Sequence, residues 1–123
     1  MKSFRELKVW QKAHELVIDI YKMTAKFPDN ERFGLISQIR RSAVSIPANI
    51  VEGFKRKGRG DFLHFLNIAD ASLEETKYFI ILSEELKYLD NNKFQELTGQ
   101  ADEIGKMLNG LQKKVAGELR IKD

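Results

Sequence analysis

Residues 94–119 read FQELTGQADEIGKMLNGLQKKVAGEL, and the apolar positions Phe94, Leu97, Ala101, Ile104, Leu108, Leu111, Val115 and Leu119 advance in alternating steps of three and four. That spacing keeps all eight side chains on one side of an α-helix, as an a/d seam. A seam of this kind is buried only when other helices lie nearly parallel to it. Three more segments with helical periods precede it. In the first, about residues 4–26, Val9, Ala13, Leu16, Ile20 and Met23 make one stripe. Leu7, Trp10, His14, Val17, Tyr21 and Thr24 make a second beside it. Ser3 and Glu6 have capping-box spacing at its start. The second segment, from about 31 or 33 to 54 and at most to 57, carries Ile36, Ile39, Ala43, Ile46 and Ile50. The third, about 61–89, carries Phe62, Phe65, Leu66, Ala69, Leu73, Thr76 and Ile80. The signals between segments are Phe27-Pro28-Asp29-Asn30, a basic glycine-containing stretch at 55–60, and Asp90-Asn91-Asn92. Asp61 is the expected cap of the third helix, and Asn92 with Gln95 that of the fourth.

No strand alternation interrupts this pattern. Four long helices joined by short turns alternate in direction, so the expected fold is all-α: a single domain over residues 1–123, an up-down-up-down antiparallel four-helix bundle. Pro47 lies inside the second segment. It lacks an N–H to bond and its ring meets the carbonyl of Ala43, so that helix is expected to be proline-kinked or broken.

Length and composition agree. The chain has 123 residues, 42% hydrophobic and 32% charged, with two prolines and eight glycines. No apolar run approaches the ~20 residues of a membrane-spanning helix, and the start lacks the apolar stretch of a signal peptide. There is no cysteine, which removes disulfides, thiolate metal sites and cysteine nucleophiles and fits a cytoplasmic location.

The run Gln38-Ile39-Arg40-Arg41-Ser42-Ala43-Val44-Ser45-Ile46-Pro47-Ala48-Asn49-Ile50-Val51-Glu52-Gly53 resembles the signature of bacterial four-helix-bundle proteins first noticed as reading frames inside intervening sequences of 23S ribosomal RNA genes. Leu7, Val9-Trp10, Ala13, Phe27-Pro28, Gly34-Leu35, Phe65-Leu66, Ile68-Ala69 and Ser72 extend the likeness over nearly the whole chain. Ala71 departs from it, standing where the family often has glycine. The resemblance implies assembly as a ring, commonly a homopentamer. The family also includes accessory proteins of diversity-generating retroelements, similar basic pentamers that bind a reverse transcriptase and nucleic acid. A homo-oligomer, RNA or DNA, and a reverse transcriptase are therefore the implied partners. Pro47, Asn49, Glu52 and Gly53 belong to the family motif.

Net charge is only +3, but residues 37–60 hold Arg40, Arg41, Lys55, Arg56, Lys57 and Arg59 against the single acid Glu52. Clustered cations of this kind neutralise phosphates and release counterions, so these six residues are the candidate nucleic-acid contacts. The competing reading is a solvated loop on a structural or protein-interaction oligomer. Asn49 and Glu52 read as contacts to a partner, or as hydrogen-bond partners for the carbonyl that Pro47 leaves free or for an adjacent subunit. Tyr78-Phe79-Ile80-Ile81-Leu82 covers most of a helix circumference with apolar side chains. One bundle core cannot bury them all, so Tyr78, Phe79, Ile81 and Leu82 are the expected oligomer interface. Trp10, Phe62, Phe65 and Phe79 read as core, and His14 as a core or interface residue. The two histidines lack the paired Glu-x-x-His motifs of a bundle metal site. No nucleophile elbow, Walker loop or zinc-protease motif occurs. The sequence thus reads as non-enzymatic, without metal or cofactor.

Overall fold

The computed structural model describes residues 2–122, with side chains through Leu119. Four α-helices follow one another: α1 (Lys8–Thr24), α2 (Leu35–Lys55), α3 (Arg59–Glu85) and α4 (Asn91–Lys122). Short 3-10 turns stand at Phe4–Glu6 and Asp29–Glu31. Each helix packs on the next, and α4 returns to α1, closing a four-helix bundle. Its core is built from the stripes. Leu16 and Ile20 of α1, Ile39, Ile46 and Ile50 of α2, Leu66, Leu73 and Ile80 of α3, and Leu97, Ile104 and Leu108 of α4 are all buried. Each such side chain contributes about 1.5–3 kcal/mol of hydrophobic stabilisation. In α1, Val9, Ala13, Leu16, Ile20 and Met23 face this core. The stripe beside them is mostly a flank, with Trp10 half-buried and His14 and Tyr21 exposed.

The helix ends differ from those the sequence suggests. The Ser3–Glu6 capping box forms, but it caps the 3-10 turn, and α1 starts after Leu7. α2 starts at Leu35, whose N–H donates to Glu31 Oε1 (3.2 Å); the other carboxylate oxygen accepts the Tyr88 hydroxyl (2.8 Å). The bond to Glu31 raises the Tyr88 pKa, helped by burial and by the carboxylate charge. Gly58, not Asp61, is the N-cap of α3; Asp61 lies in the first turn, where its charge complements the helix dipole. At α4 the cap is Asp90, whose Oδ1 accepts the Lys93 N–H (2.8 Å), rather than Asn92. An ionised carboxylate is the stronger acceptor there.

The third helix stops at Glu85, short of the expected Leu89, in a Schellman arrangement. The Tyr88 N–H donates to the Ser83 carbonyl and the Lys87 N–H to that of Glu84, both at 2.9 Å. Lys87 carries the left-handed backbone this needs, with φ of 64°. A glycine there avoids the steric cost of a Cβ, at the expense of some unfolded-state entropy. Lys87→Gly is expected to stabilise the protein by about 0.5–1 kcal/mol in urea unfolding.

Of the two outcomes expected at Pro47, the break does not occur: α2 is continuous from Leu35 to Lys55, and Pro47 is buried. Asn49 does bond a carbonyl, but that of Ser45 rather than Ala43 (Nδ2 to O, 2.8 Å), and it also donates to Ser45 Oγ (2.9 Å). Glu52 pairs with Arg56 on the surface (3.3 Å). The Ser45 hydroxyl meets that of Ser72 on α3 (2.9 Å). One turn away, Thr76 Oγ1 lies 2.9 Å from Ser42 Oγ, both residues buried. Small hydroxyl side chains thus let α2 and α3 approach closely while satisfying one another.

Candidate nucleic-acid interface

Alternation of direction puts the start of α1, the end of α2, the start of α3 and the later turns of α4 at one end of the bundle. Arg59 on α3 reaches Glu118 on α4 (3.0 Å), and Leu7, Phe54, Phe62 and Leu111 surround one cavity there. Charge follows the same geometry. Residues 2–8, 52–61 and 113–119 hold nine Lys or Arg against four Asp or Glu. The middle stretches, 9–19, 41–51, 62–79 and 98–112, hold four against seven, and the far end, 20–40 and 80–97, six against six. The bundle is therefore polarised along its axis, with a net +5 at one end. At the acidic waist, Lys77 bridges Glu74 (3.3 Å) and Asp102 (3.4 Å). Partial burial pulls its pKa down, but the bonds and charges of those two carboxylates outweigh it and raise it.

The six basic residues singled out in the sequence do not form one patch. Arg40 is engaged in the fold: its Nε donates to Thr24 Oγ1 (2.8 Å), its Nη2 to the Tyr21 carbonyl (3.3 Å), and its guanidinium lies 4.4 Å from the Tyr21 ring centre. It tethers the end of α1 to α2. Arg41 bonds Gln38 and stands 14 residues before Lys55, about 21 Å along α2 at 1.5 Å per residue. Arg56 and Arg59 are at the basic end but carry partners. Arg56 pairs with Glu52 and covers the Phe65 ring at 4.8 Å, and Arg59 pairs with Glu118. Lys55 and Lys57 are exposed, with no ion pair among the described residues.

The topology adds cations that the local cluster does not reveal. Lys2, Arg5 and Lys8 ahead of and at the start of α1, and Lys113 and Lys114 on α4, are exposed at the same end. They lie up to 112 residues from one another in the chain. The signal that identifies them is the up-down order itself, which places residues near 5, 57 and 114 side by side. No side chain caps the start of α3 at this end, and Gly58 and Gly60 face open space.

Apolar surface remains elsewhere. A groove of about 240 Å³ between α1 and α2 is lined by Phe4, Trp10, His14, Val17, Val44, Pro47, Ala48 and Val51. Trp10 stacks on His14 with ring centres 5.1 Å apart, and His14 is exposed rather than a core residue. On α3, Tyr78 and Ile81 are exposed, at 57% and 44%. Phe79 and Leu82 are half-buried against the core. Phe62 is buried, whereas Phe65 is half-buried. Among the described residues, no cluster of three or more His, Cys, Asp or Glu could hold a metal ion. No helix there is long and apolar enough to cross a membrane.

The fold and its surface define the class: a small all-α protein, an antiparallel four-helix bundle with a polarised charge distribution and apolar side chains left exposed. The chain belongs within it to the 23S rRNA-intervening sequence protein family, whose profile matches residues 5–110. It is also similar to a protein of unknown function from the S23 ribosomal protein family of Bacteroides thetaiotaomicron, known from a crystal structure. The two are 30% identical, over 85% of this chain and 95% of that one, with a TM-score of 0.80. No curated protein matches significantly.

Proposed function

We propose that this protein is a non-enzymatic, oligomeric nucleic-acid-binding or adaptor protein that holds phosphate backbone at the basic end of its bundle. The observation that carries this reading is the convergence of Lys2, Arg5, Lys8, Lys55, Lys57, Lys113 and Lys114 from three distant stretches onto one end, exposed and without ion pairs among the described residues. Lysines aimed at phosphates carry no base information, so affinity depends on length and salt more than on sequence. The apolar groove along α1 and α2 and the exposed Tyr78 and Ile81 on α3 support self-assembly. They are different surfaces, so contact between them is head-to-tail, the kind that closes into rings. The family resemblance makes five subunits the expected number. A ring repeats the basic end several times on one rigid body and so gains avidity for long strands.

Fluorescence anisotropy with strands of increasing length at two salt concentrations tests this reading. Engagement of about five phosphates gives a loss of about 10²-fold between 50 and 200 mM salt. Binding strengthens with length until a strand spans neighbouring subunits. Absence of binding at low salt, with light scattering still giving about five times 14.2 kDa, favours instead a protein-interaction oligomer, such as a reverse transcriptase partner.

A further inference from the structure

The cavity at the basic end combines apolar walls with charged side chains. It measures about 410 Å³, within the ~300–1,000 Å³ range of small-ligand sites. Phe54, Phe62, Leu111 and Val115 supply aromatic and aliphatic walls, and Arg59, Lys114 and Glu118 supply the polar groups. Phe62 and Val115 are buried, so the walls are part of the bundle core and are pre-formed. Lys114 is exposed and unpaired among the described residues, while Arg59 and Glu118 hold each other at 3.0 Å. Flat apolar walls, cationic donors and one carboxylate acceptor in a single opening match a particular chemistry. The ligand they fit has a planar unsaturated ring, hydrogen-bonding groups on its edge and an anion attached.

We propose that this cavity receives an unpaired base of a single-stranded nucleic acid whose phosphates lie on the surrounding lysines. The proposal rests on the nucleic-acid reading above and makes it specific: the ligand is single-stranded. A base in a duplex is stacked and paired, and cannot enter a cavity between helices without being extruded. A free base leaves the stack at little cost and gains contact with Phe54 and Phe62. Its edge finds Glu118 as acceptor for an amino or imino hydrogen and Arg59 or Lys114 as donor to a carbonyl or ring nitrogen. Lys55, the last residue of α2, and Lys57, in the turn before α3, stand in the chain between Phe54 and Arg59 of the cavity wall, and the adjoining phosphates would run there. Because every base has an apolar face, such a site favours single strands without choosing strongly among sequences.

The test compares three probes on the wild-type protein at low salt by anisotropy. They are single-stranded oligothymidylate, the same strand with abasic sites at every second position, and its duplex with oligoadenylate. The intact strand should bind about 10-fold tighter than the abasic strand, and tighter than the duplex. Methyl NMR should show Leu111 and Val115 shifting with the intact strand and not with the abasic one. Leu111→Trp, which fills the opening, should erase the difference between intact and abasic strands, with thermal melting confirming that the variant is folded. Equal binding of intact and abasic strands, or silent Leu111 and Val115 methyls, overturns the base site while leaving phosphate binding in place. Failure of all three probes to bind overturns the nucleic-acid reading and this inference with it.

Discussion

Replacing Lys55, Lys57, Lys113 and Lys114 together by glutamate should lower nucleic-acid affinity about 10³-fold or more at low salt, while the helical content and oligomeric mass stay unchanged. Each lysine held beside an anionic surface is worth about 1 kcal/mol, and the introduced carboxylates add repulsion. Non-specific binding starts near ~10⁻⁴–10⁻⁶ M, so the variant falls out of the measurable range. The four residues are chosen because they are exposed and make no ion pair among the described residues. Reversing Arg59 would also break its 3.0 Å pair with Glu118, and reversing Arg40 would remove the tether between α1 and α2. Arg41→Glu, some 21 Å along α2 from Lys55, is the matched control and should cost less than about 10-fold. The informative half of the experiment is the pair Lys113→Glu with Lys114→Glu. If the binding surface were only the basic turn between α2 and α3, that pair would have little effect. If it is the end of the bundle, the pair weakens binding about as much as Lys55→Glu with Lys57→Glu.

This contrast also marks what the sequence conveys and what it does not. The stripes predict most of the buried side chains, because a 3.6-residue period is a local property that survives any tertiary context. Phe94, Leu97, Ala101, Ile104, Leu108, Leu111, Val115 and Leu119 are all buried or half-buried, as their spacing requires. The ends of the helices are less legible. Glu31 accepts the first N–H of α2 while it also binds Tyr88, 57 residues away, and no local rule anticipates that bond. The same limit applies to the basic surface. A run of like charge near 55–59 is visible by inspection, yet Arg40 in the same stretch is consumed by Thr24 and Tyr21. Lys113 and Lys114 look like ordinary exposed positions on α4 until the topology places them at the same end of the bundle as Lys57. Charge that matters for binding is organised by space, and only the direction of the helices converts chain position into place.

Gly53 shows the same conversion for stability, and Gly53→Val should destabilise the protein by about 3 kcal/mol or more. An added Cβ would stand 2.9 Å from Phe62 Cδ1, 2.9 Å from Phe65 Cβ and 3.2 Å from the Phe62 carbonyl oxygen. Two of these three atoms cannot swing aside, since one is backbone and a Cβ moves only with its backbone. The remedy is separation of α2 from α3, which stretches the hydroxyl contacts Ser45–Ser72 and Ser42–Thr76, now both 2.9 Å. Separation also enlarges the space behind Phe62 and forfeits packing. Gly53→Ala should cost less, about 1–2 kcal/mol, because alanine regains about 1 kcal/mol of helix propensity against the overpacking. The control is Gly99 in α4, exposed and with nothing within 4 Å of an added Cβ. There the same glycine-to-alanine change should stabilise by about 0.5–1 kcal/mol. Two glycines inside helices of one bundle thus respond with opposite sign in thermal melting. At ~3–6 °C per kcal/mol for a domain of this size, the difference between Gly53→Ala and Gly99→Ala should exceed about 5 °C. Equal melting shifts for the two variants would mean that α2 and α3 are not held at the separation their small residues allow, and that the close seam does not hold this bundle together.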